Sequence, residues 1–128
     1  MHIHEKFDGN IAILAISGKL MGGPESYALK DKVNSLISDG IKNVVIDLQQ
    51  VKWMNSPGLG ILIGCWKLLD QANGTLKIAN ATAKVNSMLM MTHLIDYFGN
   101  YTSVQRAVSS PGWKADFQHR EQNELSNI

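Results

Sequence analysis

The residues that could do chemistry are concentrated in one short segment, residues 54–60, which read MNSPGLG. Ser56 is a favoured N-cap residue and Pro57 a favoured first residue of a helix, so the segment predicts a helix capped by Ser56. Unpaired N–H groups and the helix dipole at such a position favour negative charge. The serine is therefore either a plain cap, which is the commoner case, or a hydroxyl where an added phosphate would be tolerated.

The helix predicted to follow has one bare side. At about 100° per residue, its apolar side carries Leu59, Leu62, Cys65, Trp66, Leu69 and Ala72. Its opposite side carries Ser56, Gly60, Gly64 and Lys67, with Ile63 beside them. Glycine in an exposed helix costs about 1 kcal/mol relative to alanine, so two glycines one turn apart indicate that a partner surface lies close against them. The alternative is that Gly60 and Gly64 pack beneath another helix of the same chain.

Other reactive arrangements find little support in the sequence. A serine hydrolase needs a glycine two residues before its nucleophile, where Met54 stands, and no phosphate-cradling glycine-rich loop ending in Lys-Ser/Thr is present. His2 and His4 share a strand face, but two ligands without further clustered partners make a weak metal site. Cys65 falls on the apolar helix side, as a core residue would. We therefore expect no catalysis, no cofactor and no metal.

Composition limits the partners. The chain has 128 residues, of which 45% are hydrophobic, enough for one domain with a real core. Its 12 Lys+Arg against 11 Asp+Glu give a net charge of +1, which argues against a nucleic-acid partner. The longest apolar stretch, residues 59–69, is too short to cross a bilayer, and the start lacks a secretory signal. A single cysteine fits a reducing compartment. We expect a soluble, cytoplasmic protein without a membrane partner.

The elements that must position Ser56 begin with a hairpin. Alternation over residues 3–7, a turn signal at 8–10 and an apolar run over 11–16 predict two antiparallel strands, the second continuing to residue 20. A helix is predicted to open at Pro24 and to stop at Gly40. Residues 43–48 form a β-branched run without alternation, which predicts a central strand buried on both faces.

Strands and helices continue to alternate after this central strand. A loop through Val51, Trp53 and Met54 is predicted to lead into a helix over 56–72. A strand over 75–79 follows, and then a helix from about residue 82. The inward side of that helix is predicted to carry Val85, Met88 and Leu89. A last short strand is predicted over 95–98 and a last helix over 102–108.

This alternation predicts an α/β fold with a mixed sheet of four to five strands and helices packed on it. Residues 1–110 are expected to form the domain, and residues 111–128 a polar C-terminal tail. Within the tail, Trp113 and Phe117 are the residues expected to dock back on the domain.

A resemblance to a known family rests on two neighbouring stretches. Residues 44–48, VVIDL, and residues 54–62, MNSPGLGIL, resemble the signature of STAS domains, specifically of bacterial anti-sigma factor antagonists. In that family an apolar strand precedes Asp-Ser-x-Gly-Leu/Thr-Gly, and the anti-sigma factor, a serine kinase, phosphorylates the serine. Ser56 occupies the phosphoserine position, and Gly58, Leu59 and Gly60 match. The order of elements from residue 11 to about 108 is similar too.

The resemblance implies an STAS-type fold and a non-enzymatic switch that regulates transcription. The unphosphorylated antagonist would bind the anti-sigma factor and free the sigma factor, and phosphorylation of Ser56 would release it; a phosphatase is a possible further partner. A phosphate adds about −1.5 to −2 charge at neutral pH, which the helix N-terminus accepts. The residues expected to bind the partner are Met21, Asn55, Ser56, Pro57, Gly58, Gly60, Ile63, Gly64 and Lys67.

Three residues depart from the family pattern. Asn55 stands where Asp is usual, Pro57 where a small residue is common, and Met21 where many relatives carry an acidic residue. Two alternatives therefore stay open. One is a scaffold that binds its partner through the same helix without being modified. The other is a ligand-sensing or transport-accessory domain, since STAS domains elsewhere serve transporters or bind nucleotides and lipids.

Overall fold

A four-stranded sheet organises residues 1–114, the part of the chain that the computed structural model describes. The strands are β1 (His2–Asp8), β2 (Ile11–Leu20), β3 (Asn43–Met54) and β4 (Thr75–Ala79). The helices are α1 (Tyr27–Ser38), α2 (Ser56–Gln71), α3 (Ala83–Met91), α4 (Ile95–Phe98) and α5 (Val104–Ser109). One turn of 3-10 helix, Pro24–Ser26, leads into α1, so Pro24 opens this turn and the α-helix itself starts later than predicted.

The strands lie in the order β1-β2-β3-β4. β1 and β2 are the predicted antiparallel hairpin, and β3 runs parallel to both β2 and β4. The mixed α/β sheet expected from the sequence is thereby confirmed. Leu20 at the end of β2 pairs with Met54 at the end of β3, so both strands finish beside the start of α2. This meeting point determines where Ser56 lies.

The main core lies between one face of the sheet, called the inner face here, and the helices α1, α2 and α3. Fully buried side chains that fill it include Leu14, Ile16, Ile46, Leu48, Ile78, Leu29, Leu62, Leu69 and Leu89. Val85 and Leu89 of α3 are both fully buried and Met88 is half-buried, in agreement with the predicted inward side of that helix. Burial of apolar area at this scale is the dominant stabilising contribution to a domain of this size.

Two predicted elements are wrong. The loop expected through Val51, Trp53 and Met54 belongs to β3, because Val51 and Met54 are buried in the core and all three pair with the end of β2. The strand expected over residues 95–98 is the short helix α4. Its chain enters through His93 in a left-handed conformation (φ 59°) and buries Phe98, and the contact beside β4 is made by Tyr101 instead.

The outer sheet face carries a smaller cluster at the amino end of β2 and β3. Ile11, Ile13 and Val45 pack there against α5 and against Trp113, which is 8% exposed and donates its indole N–H to the Val108 carbonyl. The chain therefore folds back on the domain at Trp113. Phe117, the other docking residue predicted, lies outside the described residues, and the division at residue 110 stays a prediction.

Lys77 is buried in the same cluster, 4% exposed. Its Nζ donates to the Ser110 hydroxyl at 2.5 Å and to the Pro111 carbonyl at 2.7 Å, and it lies 4.1 Å from the centroid of the Trp113 ring. Loss of hydration lowers the pKa of Lys77 from its ordinary 10.5 to about 8. This lysine holds the segment after α5 against β4.

Candidate functional site

Asn55, and not Ser56, is the N-cap of α2. Its backbone is extended, and its side-chain oxygen accepts a hydrogen bond from the Gly58 N–H at 2.8 Å. Asparagine caps helices as well as serine does, and Pro57 at the second helical position has no N–H to offer. The cap must therefore reach the third position, which Asn55 does. The expectation that Ser56 caps the helix is wrong by one residue.

Ser56 is consequently the first residue of α2 and is exposed. Within residues 1–114 its hydroxyl has no hydrogen-bond partner. An unengaged hydroxyl at the positive end of a helix is open to modification, and a phosphate placed there meets a favourable dipole. Phosphorylation of Ser56 stays a prediction, now for the first residue of α2 and not for its cap.

The loop after β2 packs tightly on the start of α2. A Cβ added to Gly58 would clash with the carbonyl oxygen of Leu20, and a Cβ added to Gly22 would clash with the ring of Pro57. Gly22 also has a positive φ of 77°, which favours glycine. These two glycines bring Met21, 37% exposed, beside the serine segment. Gly22 is absent from the predicted site, although the sequence Gly-Gly-Pro after a strand marks such a turn.

The bare side of α2 is open at one glycine and partly covered at the other. A Cβ added to Gly60 would meet nothing within 4 Å among residues 1–114. A Cβ added to Gly64 would lie 3.1 Å from Cε of Lys30, on α1. Within residues 1–114, the alternative that both glycines pack beneath another helix is therefore wrong for Gly60, whereas the nearest neighbour of Gly64 is the flexible Lys30 side chain of α1. Lys67 on this side is exposed and Ile63 is half-buried.

Trp53 adds an aromatic ring that the predicted site lacks. It is 45% exposed at the end of β3, and Nζ of Lys84 on α3 lies over its ring. Such a cation–π contact stabilises the pair and orients the ring. Its place three positions before Ser56 is visible in the sequence, but its exposure is visible only in the structure.

A model of the STAS domain family matches residues 2–107. The chain belongs to this family. The match covers every strand and the segment that carries Ser56.

One sequence relative and one solved structure extend the comparison. The STAS chain is 23% identical over 114 residues to the anti-sigma F factor antagonist of Paenibacillus polymyxa, covering 85% of this chain and 93% of that one. An anti-sigma factor antagonist from Mycobacterium paratuberculosis has the same fold, with a TM-score of 0.72 and 20% identity, covering 84% of this chain and 91% of that one.

The anti-sigma factor antagonist SpoIIAA of Bacillus has the fold as well. Its unphosphorylated form superposes with a TM-score of 0.71 at 15% identity, covering 84% of this chain and 93% of that one, and its phosphorylated form with a TM-score of 0.67. The murine anion transporter Slc26a9 contains the fold in 18% of its chain, with a TM-score of 0.66 over 80% of this one.

Cys65 is another side chain of a reactive type in this STAS domain. Cys65 is fully buried, and burial raises the pKa of its thiol to about 12, so the prediction of a core cysteine is confirmed. Among residues 1–114, no three His, Cys, Asp or Glu side chains are grouped to hold a metal ion. No helix in the same part of the chain has both the length and the apolar character needed to span a bilayer.

Proposed function

We propose that this STAS domain is an anti-sigma factor antagonist whose binding is switched by phosphorylation of Ser56. The partner is an anti-sigma factor with serine kinase activity in the cytoplasm, and a phosphatase resets the switch. The observation that carries the proposal is the exposed, unengaged hydroxyl of Ser56 at the start of α2, next to the open side at Gly60. Relatives named as antagonists of anti-sigma F and anti-sigma B factors support the class of partner.

A phosphate on Ser56 would change the docking surface while leaving the fold intact. It adds about −1.5 to −2 charge to an exposed position, where the helix dipole stabilises negative charge by about 0.3–1 kcal/mol. Asn55 keeps its cap, because the Ser56 hydroxyl takes no part in it. The surface of the partner, however, would meet a bulky dianion where it had met a small hydroxyl.

The test is a binding assay with the cognate anti-sigma factor, measured for the wild-type chain, Ser56→Ala and Ser56→Asp. Wild type and Ser56→Ala are expected to bind, and Ser56→Asp to lose most of its affinity while unfolding at the same or slightly higher urea concentration. Ser35→Asp, on an exposed position of α1, is the matched control and is expected to bind normally. Incubation with the kinase and ATP should add one phosphate to the wild type and none to Ser56→Ala.

Other outcomes point to other functions. Equal binding by all variants, with no phosphate transferred, would contradict the switch and leave a scaffold that binds through α2 unmodified. A transport-accessory or ligand-sensing STAS domain is the second candidate, because Slc26a9 contains the same fold. It predicts no binding to an anti-sigma factor and a rise in melting temperature with a nucleotide or lipid.

A further inference from the structure

A groove of about 350 Å³ lies where β2 and β3 end, beside the serine segment. It is lined by Ser17, Gly18, Lys19, Gln50, Lys52 and Trp53. A second groove of about 660 Å³ shares Gly18 and Lys19 with the first and reaches Met21. Lys19 therefore lines both grooves, and Trp53 of the first groove directly precedes the serine segment in the sequence.

The lining of these grooves is positively charged. Lys19 and Lys52 are exposed and, within residues 1–114, form no ion pair. The first groove contains no carboxylate among its lining residues, and Lys84 lies over the ring of Trp53 at its edge. In the second groove, Glu25 is paired with the N-terminal ammonium of Met1 at 3.2 Å. Free positive charge without an internal counter-charge selects a partner of the opposite sign.

The groove also offers an apolar anchor. Trp53 is 45% exposed at the edge of the first groove, next to Lys19 in the register of the two strands. Exposed tryptophan surrounded by polar groups is the residue most often found at the energetic centre of a protein interface. The ring of Trp53 and the ammonium groups of Lys19 and Lys52 line the same groove. They fit a segment that has one apolar side chain for the ring and carboxylates for the lysines.

We propose that this groove, defined by Lys19, Lys52 and Trp53, binds an acidic segment of the anti-sigma factor. The inference rests on the proposed function and adds the chemistry of the partner to it. It also accounts for the direction of the switch. A phosphate on Ser56 is attached three residues after Trp53 in the sequence, so it adds negative charge just after the end of β3 and repels a segment that carries the same sign.

The experiment measures the affinity of the cognate anti-sigma factor for the full chain at about 50 mM and about 300 mM salt, since exposed charge pairs are screened at the higher concentration. The double variant Lys19→Glu/Lys52→Glu is expected to bind at least about tenfold more weakly at low salt, with a flatter salt dependence. Trp53→Ala is expected to weaken binding while keeping the salt dependence. Lys6→Glu, which reverses the charge of one exposed lysine at the other end of the sheet, is the control for charge reversal away from the groove and is expected to bind as wild type does.

A second arm uses an oligoglutamate peptide ending in leucine and follows the indole N–H resonance of Trp53 by NMR. If the anti-sigma factor binds wild type and the double variant equally, the groove proposal is overturned while the proposed function stands. If the anti-sigma factor does not bind but the peptide shifts Trp53 in wild type alone, the groove is supported and the proposed partner is wrong. If neither probe binds, both proposals are overturned.

Discussion

Replacing Gly60 and Gly58 by alanine, one at a time, should change the stability of the domain in opposite directions. Gly60 is an exposed residue inside α2, and its new Cβ would meet no atom of the described part of the chain within 4 Å. Alanine is the better helix former by about 0.8–1 kcal/mol. Gly60→Ala should therefore raise the free energy of unfolding by about that amount, which corresponds to a rise in melting temperature of roughly 4 °C for a domain of this size.

Gly58→Ala should be destabilising, although the residue lies two positions away on the same helix. Its Cβ would clash with the Leu20 carbonyl, a backbone atom at the end of β2, and would lie 3.3 Å from Oδ1 of Asn55. The strand end and the helix start would have to separate, which weakens the cap as well. Forced overpacking of this kind costs about 1–3 kcal/mol.

Urea unfolding followed by far-UV circular dichroism measures both effects, and binding to the anti-sigma factor is measured in parallel. Gly60→Ala should bind more weakly despite its greater stability, because a methyl group now occupies the open side. Gly64→Ala is an intermediate control, since the nearest atom to its Cβ would be the flexible end of Lys30 at 3.1 Å. Loss of stability in Gly60→Ala, or unchanged binding, would refute the inference that this glycine keeps the side open for a partner.

Two further predictions concern the cap and the buried lysine. Asn55→Ala should lower the free energy of unfolding by about 0.5–2 kcal/mol, because the Gly58 N–H loses its acceptor. Asn55→Asp should keep the stability of the wild type. Equal urea midpoints for Asn55→Ala and wild type would contradict the assigned cap. Between about pH 8 and 10.5 the unfolded state binds the proton of Lys77 more tightly than the folded state does, so the stability of the wild type should rise with pH across this window. Lys77→Met, measured by the same denaturation at each pH, should lack this part of the rise, and an identical slope in both proteins would show that Lys77 does not titrate there.

Local patterns were sufficient for most elements that position the site. The alternation before residues 8–10, the helical spacing after Pro57 and the strand at residues 75–79 each match the structure, because each is determined by its own apolar period and turn residues. The serine segment was identified in the same way. Pairing between strands is what local patterns do not contain. Residues 51–54 belong to β3 because the end of β2 pairs with them, and their own sequence does not show that pairing.

The strand predicted over residues 95–98 is wrong because the local pattern there is too short to decide the structure. Ile-Asp-Tyr-Phe is a short, largely apolar run, and four residues are too few to distinguish a strand from one turn of helix. Tyr101 makes the contact beside β4, and packing of Phe98 into the core selects the helix. Trp53 was missed as a site residue because its exposure depends on where β3 ends.

The two departures at Asn55 and Pro57 can be understood together. Pro57 removes the N–H that a cap could otherwise use at the second helical position, so the cap must bond to Gly58, and either Asn or Asp at position 55 can reach it. The difference between them is charge. An aspartate would lie next to a phosphate on Ser56 and repel it, whereas Asn55 caps the helix without adding negative charge. On the proposed function, the phosphorylated domain therefore keeps the cap without like-charge repulsion from residue 55. Release of the partner would then depend on repulsion between the phosphate and the partner.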